Sequence, residues 1–182
     1  MITSSQLRKE NIAEYILYMW QIEDIIRAYN FDINKIEKNI ISSYNVSEDL
    51  KNEIRNWYAN LILMMHEQGI REKGHLSFIQ GIIDDLNDLH NYLLKKGEDR
   101  EYLIYYNRAK ENIDDLRRKS GDYNFNDVEI CLIGLYGLLL LRLQKKEVAK
   151  ETEEAMKTFS NLMALLADRF KKYEKGELKM EL

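Results

Sequence analysis

Apolar residues recur every three to four positions along most of this chain, and one stretch departs from that rhythm by being apolar on every side. Residues 5–29 carry Ile12, Tyr15, Met19, Ile22 and Ile26 at helical spacing, with Glu14, Gln21 and Asp24 opposite, and predict one helix. Asn30-Phe31-Asp32 interrupts the register. Asp32 is placed to cap a short helix over 33–43 whose buried side is Ile33, Ile36, Ile40 and Ile41. Ser47, followed by Glu48 and Asp49, opens a third helix on Leu50, Ile54, Trp57, Tyr58, Leu61 and Met65, and Gly69 closes it. A fourth helix over 76–95 uses Ile79, Ile82, Ile83, Leu86, Leu89 and Leu93 and stops at Gly97. A fifth, over 99–120, turns Tyr102, Tyr106, Ala109, Ile113 and Leu116 inward and ends at Gly121.

The exceptional stretch is Ile130 to Leu141, which holds no charge in a chain that is 32% charged. A helix apolar all round belongs inside a bundle or a membrane, and this run falls short of the about 20 residues a bilayer requires. It reads as the central helix, about 127–145, of an all-α, single-domain bundle of six to seven helices. Asn126-Asp127-Val128-Glu129 before it has the form of a capping box. A switch from Lys145, Lys146 and Lys150 to Glu151, Glu153 and Glu154 marks the break before a last helix on Met156, Phe159, Leu162, Met163, Leu166 and Phe170. The domain spans 1–173, with a charged, frayed tail at 174–182.

Composition narrows the picture. The chain has no proline, which suits short joints between helices. Its 27 basic and 31 acidic residues are interspersed and offer no bulk attraction to nucleic acid or an anionic membrane. The single cysteine, Cys131, allows no internal disulfide and lies in the most apolar run, where it reads as a small core residue. The first residues lack a signal-peptide layout, so a reducing cytoplasm is the expected compartment.

Three groups of residues carry candidate chemistry. On a helical wheel Arg142 falls in the most apolar sector of its helix and Glu23 in that of the first, which makes them a candidate buried pair across the bundle; in the alternative, Arg142 reaches water from its helix end and Glu23 pairs with Arg27. His66, Glu67, Arg71, Glu72 and His75 gather two histidines and two carboxylates within one joint. Glu72 and His75 have the Glu-x-x-His spacing of di-iron bundles, but no second such motif exists, so neither a metal nor any other cofactor is expected. Tyr102, Tyr105 and Tyr106 cannot all face one core and are candidate interface aromatics. Gly134 and Gly137 share a flank of the apolar helix and predict a close helix approach there.

The stretches Asn11 to Tyr29, Glu72 to His75, Leu116 to Gly121 and Leu135 to Lys146 resemble those of a family of uncharacterised bacterial proteins of about this length. The resemblance implies an all-helical cytoplasmic protein, supplies no activity, and brings Glu23, Arg27, His75 and Arg142 into or beside the matching segments. The leading functional reading is a non-enzymatic helical module that binds a protein partner or itself. The runner-up is an enzyme or small-molecule binder with a pocket near Glu23, Arg142 and the His66–His75 joint. Nucleic-acid binding ranks third, for want of a basic face.

Overall fold

The computed structural model describes residues 2–121 and 124–180, the side chains of residues 2 and 3 apart. Among the described residues the regular structure is entirely helical: α1 Ile2–Glu10, α2 Ile12–Ala28, α3 Ile33–Asn39, α4 Glu48–Glu67, α5 Ser77–Lys96, α6 Arg100–Ser120, α7 Asp127–Leu143 and α8 Lys150–Glu174. One 3-10 turn, Ile41–Ser43, follows α3. The protein is all-α, and the bundle has eight helices because the first expected helix is two. At Asn11 the backbone swings to φ −149° and ψ 101°, and the side chain accepts hydrogen bonds from the N–H groups of Ala13 and Glu14. A side chain that caps a new helix in this way outcompetes continuation of the old one.

Caps also set most of the other boundaries. Asp32, Ser47 and Asp99 accept backbone N–H bonds at the starts of α3, α4 and α6. At α7 both halves of the capping box form, Glu129 N–H to Asn126 and Asn126 N–H to Glu129, each at 2.9 Å. Gly97 and Gly121 end α5 and α6 in the left-handed conformation that costs glycine least. The turn after α7 uses Lys145 at φ 54° in that role, with Lys146 N–H reaching back to Leu141 O at 3.0 Å.

The helix that organises the core is α8. Its buried stripe of Met156, Phe159, Leu162, Met163, Leu166 and Phe170 packs against α2, α5, α6 and α7. Asp99 ties the start of α6 to it, accepting from Arg169 Nε at 2.6 Å, and the guanidinium holds the Asp99 carboxyl below its ordinary range. The apolar helix α7 corrects the expectation of a fully enclosed hub. Val128, Ile130, Cys131 and Leu132 are buried, but every residue from Ile133 to Leu141 is only partly covered, and Leu143 is 63% exposed. Uniform apolarity says that a helix has no designated wet side. It does not say that neighbours cover all of its length.

The two α7 glycines part company. A Cβ on Gly134 would lie 2.9 Å from the Phe159 ring and 3.0 Å from both Leu116 and Met156 side chains, whereas none lies within 4 Å of one on Gly137. The expected close approach therefore holds at Gly134 alone. Gly134→Ala is expected to lower stability by about 1–2 kcal/mol, overpacking exceeding the gain in helix propensity. Gly137→Ala is expected to raise it by up to about 1 kcal/mol; urea unfolding of both variants reads the opposite signs.

The segment beyond α8, expected to fray, folds back as far as it is described. Leu178 and Met180 pack on the core, and Tyr92 Oη donates to Lys179 O at 3.1 Å. Residues 1, 122, 123, 181 and 182 of the expected domain and tail lie outside the described residues. No helix among the described residues is long and apolar enough to cross a membrane.

Candidate functional site

The polar centre of the molecule forms where α2 meets the joint between α4 and α5. That joint, Gly69 to Leu76, is irregular backbone whose polar groups need partners, and α2 supplies them. Leu76 is the N-cap of α5 and brings no capping side chain of its own. Glu23, 0% exposed, fills that role from another helix: its Oε1 accepts Leu76 N–H at 2.8 Å. The positive end of the α5 dipole favours a carboxylate there. Oε2 of the same carboxylate meets His75 Nδ1 at 2.6 Å. Arg27 completes the tie, donating through Nη2 to Ile70 O at 3.3 Å and to Gly74 O, and through Nη1 to Asp24 at 3.1 Å.

Aromatic rings wall the site. His75 stacks on Trp20 at 4.3 Å between centroids and 12° between planes. Tyr136 of α7 approaches Trp20 edge-on at 5.5 Å, and its hydroxyl donates to Asp24 Oδ2 at 2.6 Å. Burial, reinforced by the hydrogen bond to Asp24, pushes the Tyr136 hydroxyl pKa upward, so it stays a donor. Trp20 Nε1 and Arg27 Nε are buried with no hydrogen-bond partner.

These contacts revise the site read from sequence. Glu23 does not pair with Arg142. The Arg142 side chain is 61% exposed and lies 3.8 Å from Glu153 of α8. The reason is axial level. Because α7 runs antiparallel to α2, Tyr136 is the α7 residue level with Asp24, and Arg142 is six residues, roughly 9 Å of helix axis, further along. The joint cluster also disperses. His66, Glu67, Arg71 and Glu72 are exposed, with Arg71 over the Phe31 ring at 5.1 Å, and His75 alone turns inward to Glu23. Sequence reasoning missed Trp20, Asp24 and Tyr136, whose roles depend on a helix more than a hundred residues away in the chain.

Of the candidate interface aromatics, Tyr102 needs correction, while Tyr105 and Tyr106 are partly exposed. Tyr102 is fully buried, its hydroxyl 2.6 Å from His90 Nδ1. Tyr105 and Tyr106 are half-buried, Tyr105 beneath Arg108 and Tyr106 against the His90 ring at 5.3 Å, where burial and the nearby Asp127 carboxylate push its hydroxyl pKa upward. Tyr102, His90, Asp127 and Arg117 form a second polar network at the start of α7. His90 Nε2 lies 3.5 Å from Asp127 Oδ2, and Arg117 makes a shorter contact to the other carboxylate oxygen. The His90 hydrogen bond, with Arg117, outweighs the desolvation of burial and holds the Asp127 carboxyl at about 2, against an ordinary 3.8. Between those values the unfolded chain carries a proton that the folded chain does not, so stability from this group is present above 3.8 and lost as pH falls through about 2. Denaturant unfolding across the acid range should show Asp127→Asn losing that part of the pH dependence. Cys131, buried beside this network, is inert as a nucleophile because burial raises its thiol pKa.

No group of three metal-ligating side chains comes together among the described residues. Beside α7 lies a groove of about 700 Å3, floored by Leu17, Leu135, Leu138, Leu139, Met156 and Met163 and rimmed by Glu14, Arg142, Glu153 and Lys157. Arg142 thus borders an apolar groove of which Glu23 is no part.

A family model described as Domain of unknown function (DUF4924) matches residues 1–177. The chain belongs to the DUF4924 family. No curated protein and no solved structure matches it. Three segments on which the sequence resemblance rests meet in the DUF4924 polar centre, through Trp20, Glu23, Asp24 and Arg27, through Gly74 and His75, and through Tyr136. The fourth contributes Arg117 to the network at Asp127.

Proposed function

We propose that this protein is a helical interaction module whose binding surface is the C-terminal half of α7 with the groove beside it, and that its partner is a second copy. The observation that carries the reading is the nine-residue run Ile133 to Leu141, uncharged throughout and nowhere buried. The part of this run that lines the groove, Leu135, Leu138 and Leu139, is apolar surface that gains roughly 25 cal/mol for each Å2 a partner covers. The groove rim decides between partners. Glu14 and Glu153 balance Arg142 and Lys157, so the rim is neutral and complementary to itself, as a twofold contact between identical surfaces requires. A strongly basic or acidic partner would find no matching field on it.

Sedimentation equilibrium over a range of protein concentrations tests the proposal. A dimer is expected, and Leu139→Glu with Leu143→Glu should return it to monomer without lowering the thermal midpoint of the monomer, since neither side chain is buried. A wild-type chain that stays monomeric at every concentration overturns the second copy as partner.

A further inference from the structure

We propose that His75 is a nucleophilic histidine positioned by Glu23, forming a site for acyl transfer from a neutral carboxylic ester to water. The inference is independent of the α7 surface and begins with the hydrogen bonds of one carboxylate. With Oε1 occupied by Leu76 N–H and Oε2 at 2.6 Å from His75 Nδ1, an ionised Glu23 can only accept, which assigns a hydrogen to Nδ1. In its neutral form the ring then presents a lone pair at Nε2. No described residue bonds Nε2, and the side chain is 32% exposed, while Glu23 is wholly enclosed. A partly exposed imidazole whose Nδ1 is held by a buried carboxylate is the arrangement that nucleophilic catalysis uses.

Two further observations shape the site. The imidazole is clamped between its hydrogen bond and the stacked Trp20 face, so its direction is fixed before any substrate arrives. The surrounding charge selects the electrophile. Glu23 and Asp24 bring two carboxylates to the inner side of the ring, and the Arg27 guanidinium beside them is already bound to Asp24 and two carbonyls. Such a field disfavours phosphate esters and other anions and admits an uncharged carbonyl.

In the reaction the Nε2 lone pair adds to the ester carbonyl carbon, and the displaced π pair returns as the alkoxide leaves. The acylated ring is then cationic beside the Glu23 carboxylate, which stabilises the charge as it develops. Water adds to the acyl carbon, the ring departs with its lone pair, and the water proton is taken up by the alkoxide. The products are one carboxylic acid and one alcohol.

The chain supplies its own controls, because His66 is exposed without a carboxylate and His90 is buried. The probe is para-nitrophenyl acetate with the full chain near neutral pH. His75→Asn should reduce nitrophenolate release about tenfold or more, whereas His66→Asn should change it less than about twofold. Glu23→Gln is the sharper variant. Its carbonyl can still accept Leu76 N–H, but its amide would donate to Nδ1 and force the proton onto Nε2, abolishing the lone pair while circular dichroism stays native. A purely structural Glu23 would leave the rate untouched in that folded variant. The acetyl-imidazole is itself hydrolysed in the second step and does not survive digestion, so the wild-type site is mapped with diethyl pyrocarbonate, whose carbethoxy adduct persists and should appear on His75 before His66. A folded His75→Asn with the wild-type rate, or a carbethoxy group on His66 ahead of His75, overturns the proposal, and the mapping decides alone if the variant does not fold.

Discussion

Phe159→Ala should lower the free energy of unfolding by about 3–5 kcal/mol, the largest single-residue loss in the molecule. Phe159 is fully buried on α8 and faces Gly134, where an added Cβ would lie 2.9 Å from its ring. Truncation removes ring surface from the core and leaves a void that the rigid backbones of two helices cannot close. Leu116 and Met156 also abut this spot, and Met156 is the one side chain with enough freedom to lean into it. Chemical denaturation measures the loss, and Phe159→Leu should recover more than half of it. A change below about 1 kcal/mol in Phe159→Ala would mean that α8 does not organise the core as described.

Glu23→Leu should cost about 2–4 kcal/mol, although leucine is nearly the same size and the position is fully buried. The penalty lies in what the carboxylate leaves behind. Leu76 N–H loses its acceptor inside the protein, and the His75 ring loses the bond that holds it against Trp20. Arg142→Leu should stay within about 0.5 kcal/mol, because the guanidinium is mostly in water and its contact to Glu153 is long. Combined, the two changes should be additive, as expected of residues without a shared partner. A coupling energy above about 0.5 kcal/mol would contradict the separation of Glu23 from Arg142.

What could be read from the chain, and what could not, follows from the range over which each signal acts. Local chemistry announced itself: Ser47, Asp99 and the Asn126–Glu129 box stand at the boundaries their side chains cap, and Gly97 and Gly121 at the left-handed ends that glycine adopts most easily. Asn11 was equally legible, since Glu14 three residues on gives it the form of a capping pair, but the unbroken apolar stripe around it masked the joint. The misplaced pairing of Glu23 with Arg142 shows a different limit. A helical wheel gives the azimuth of each side chain and carries nothing about where two helices lie along each other's axes. The true partner of Glu23 sits 52 residues away in an irregular joint, and only the folded backbone brings it there.

Because α8 is eighth in chain order yet touches α2, α5, α6 and α7, the order of synthesis runs against the order of burial. While a ribosome is still translating the residues before 150, the earlier helices can cover only the faces they turn to one another, as α5 and α6 do with α7. A nascent chain of this design leaves the stripes that face α8 wet until Phe170 has emerged, and the bundle closes last around the helix made last.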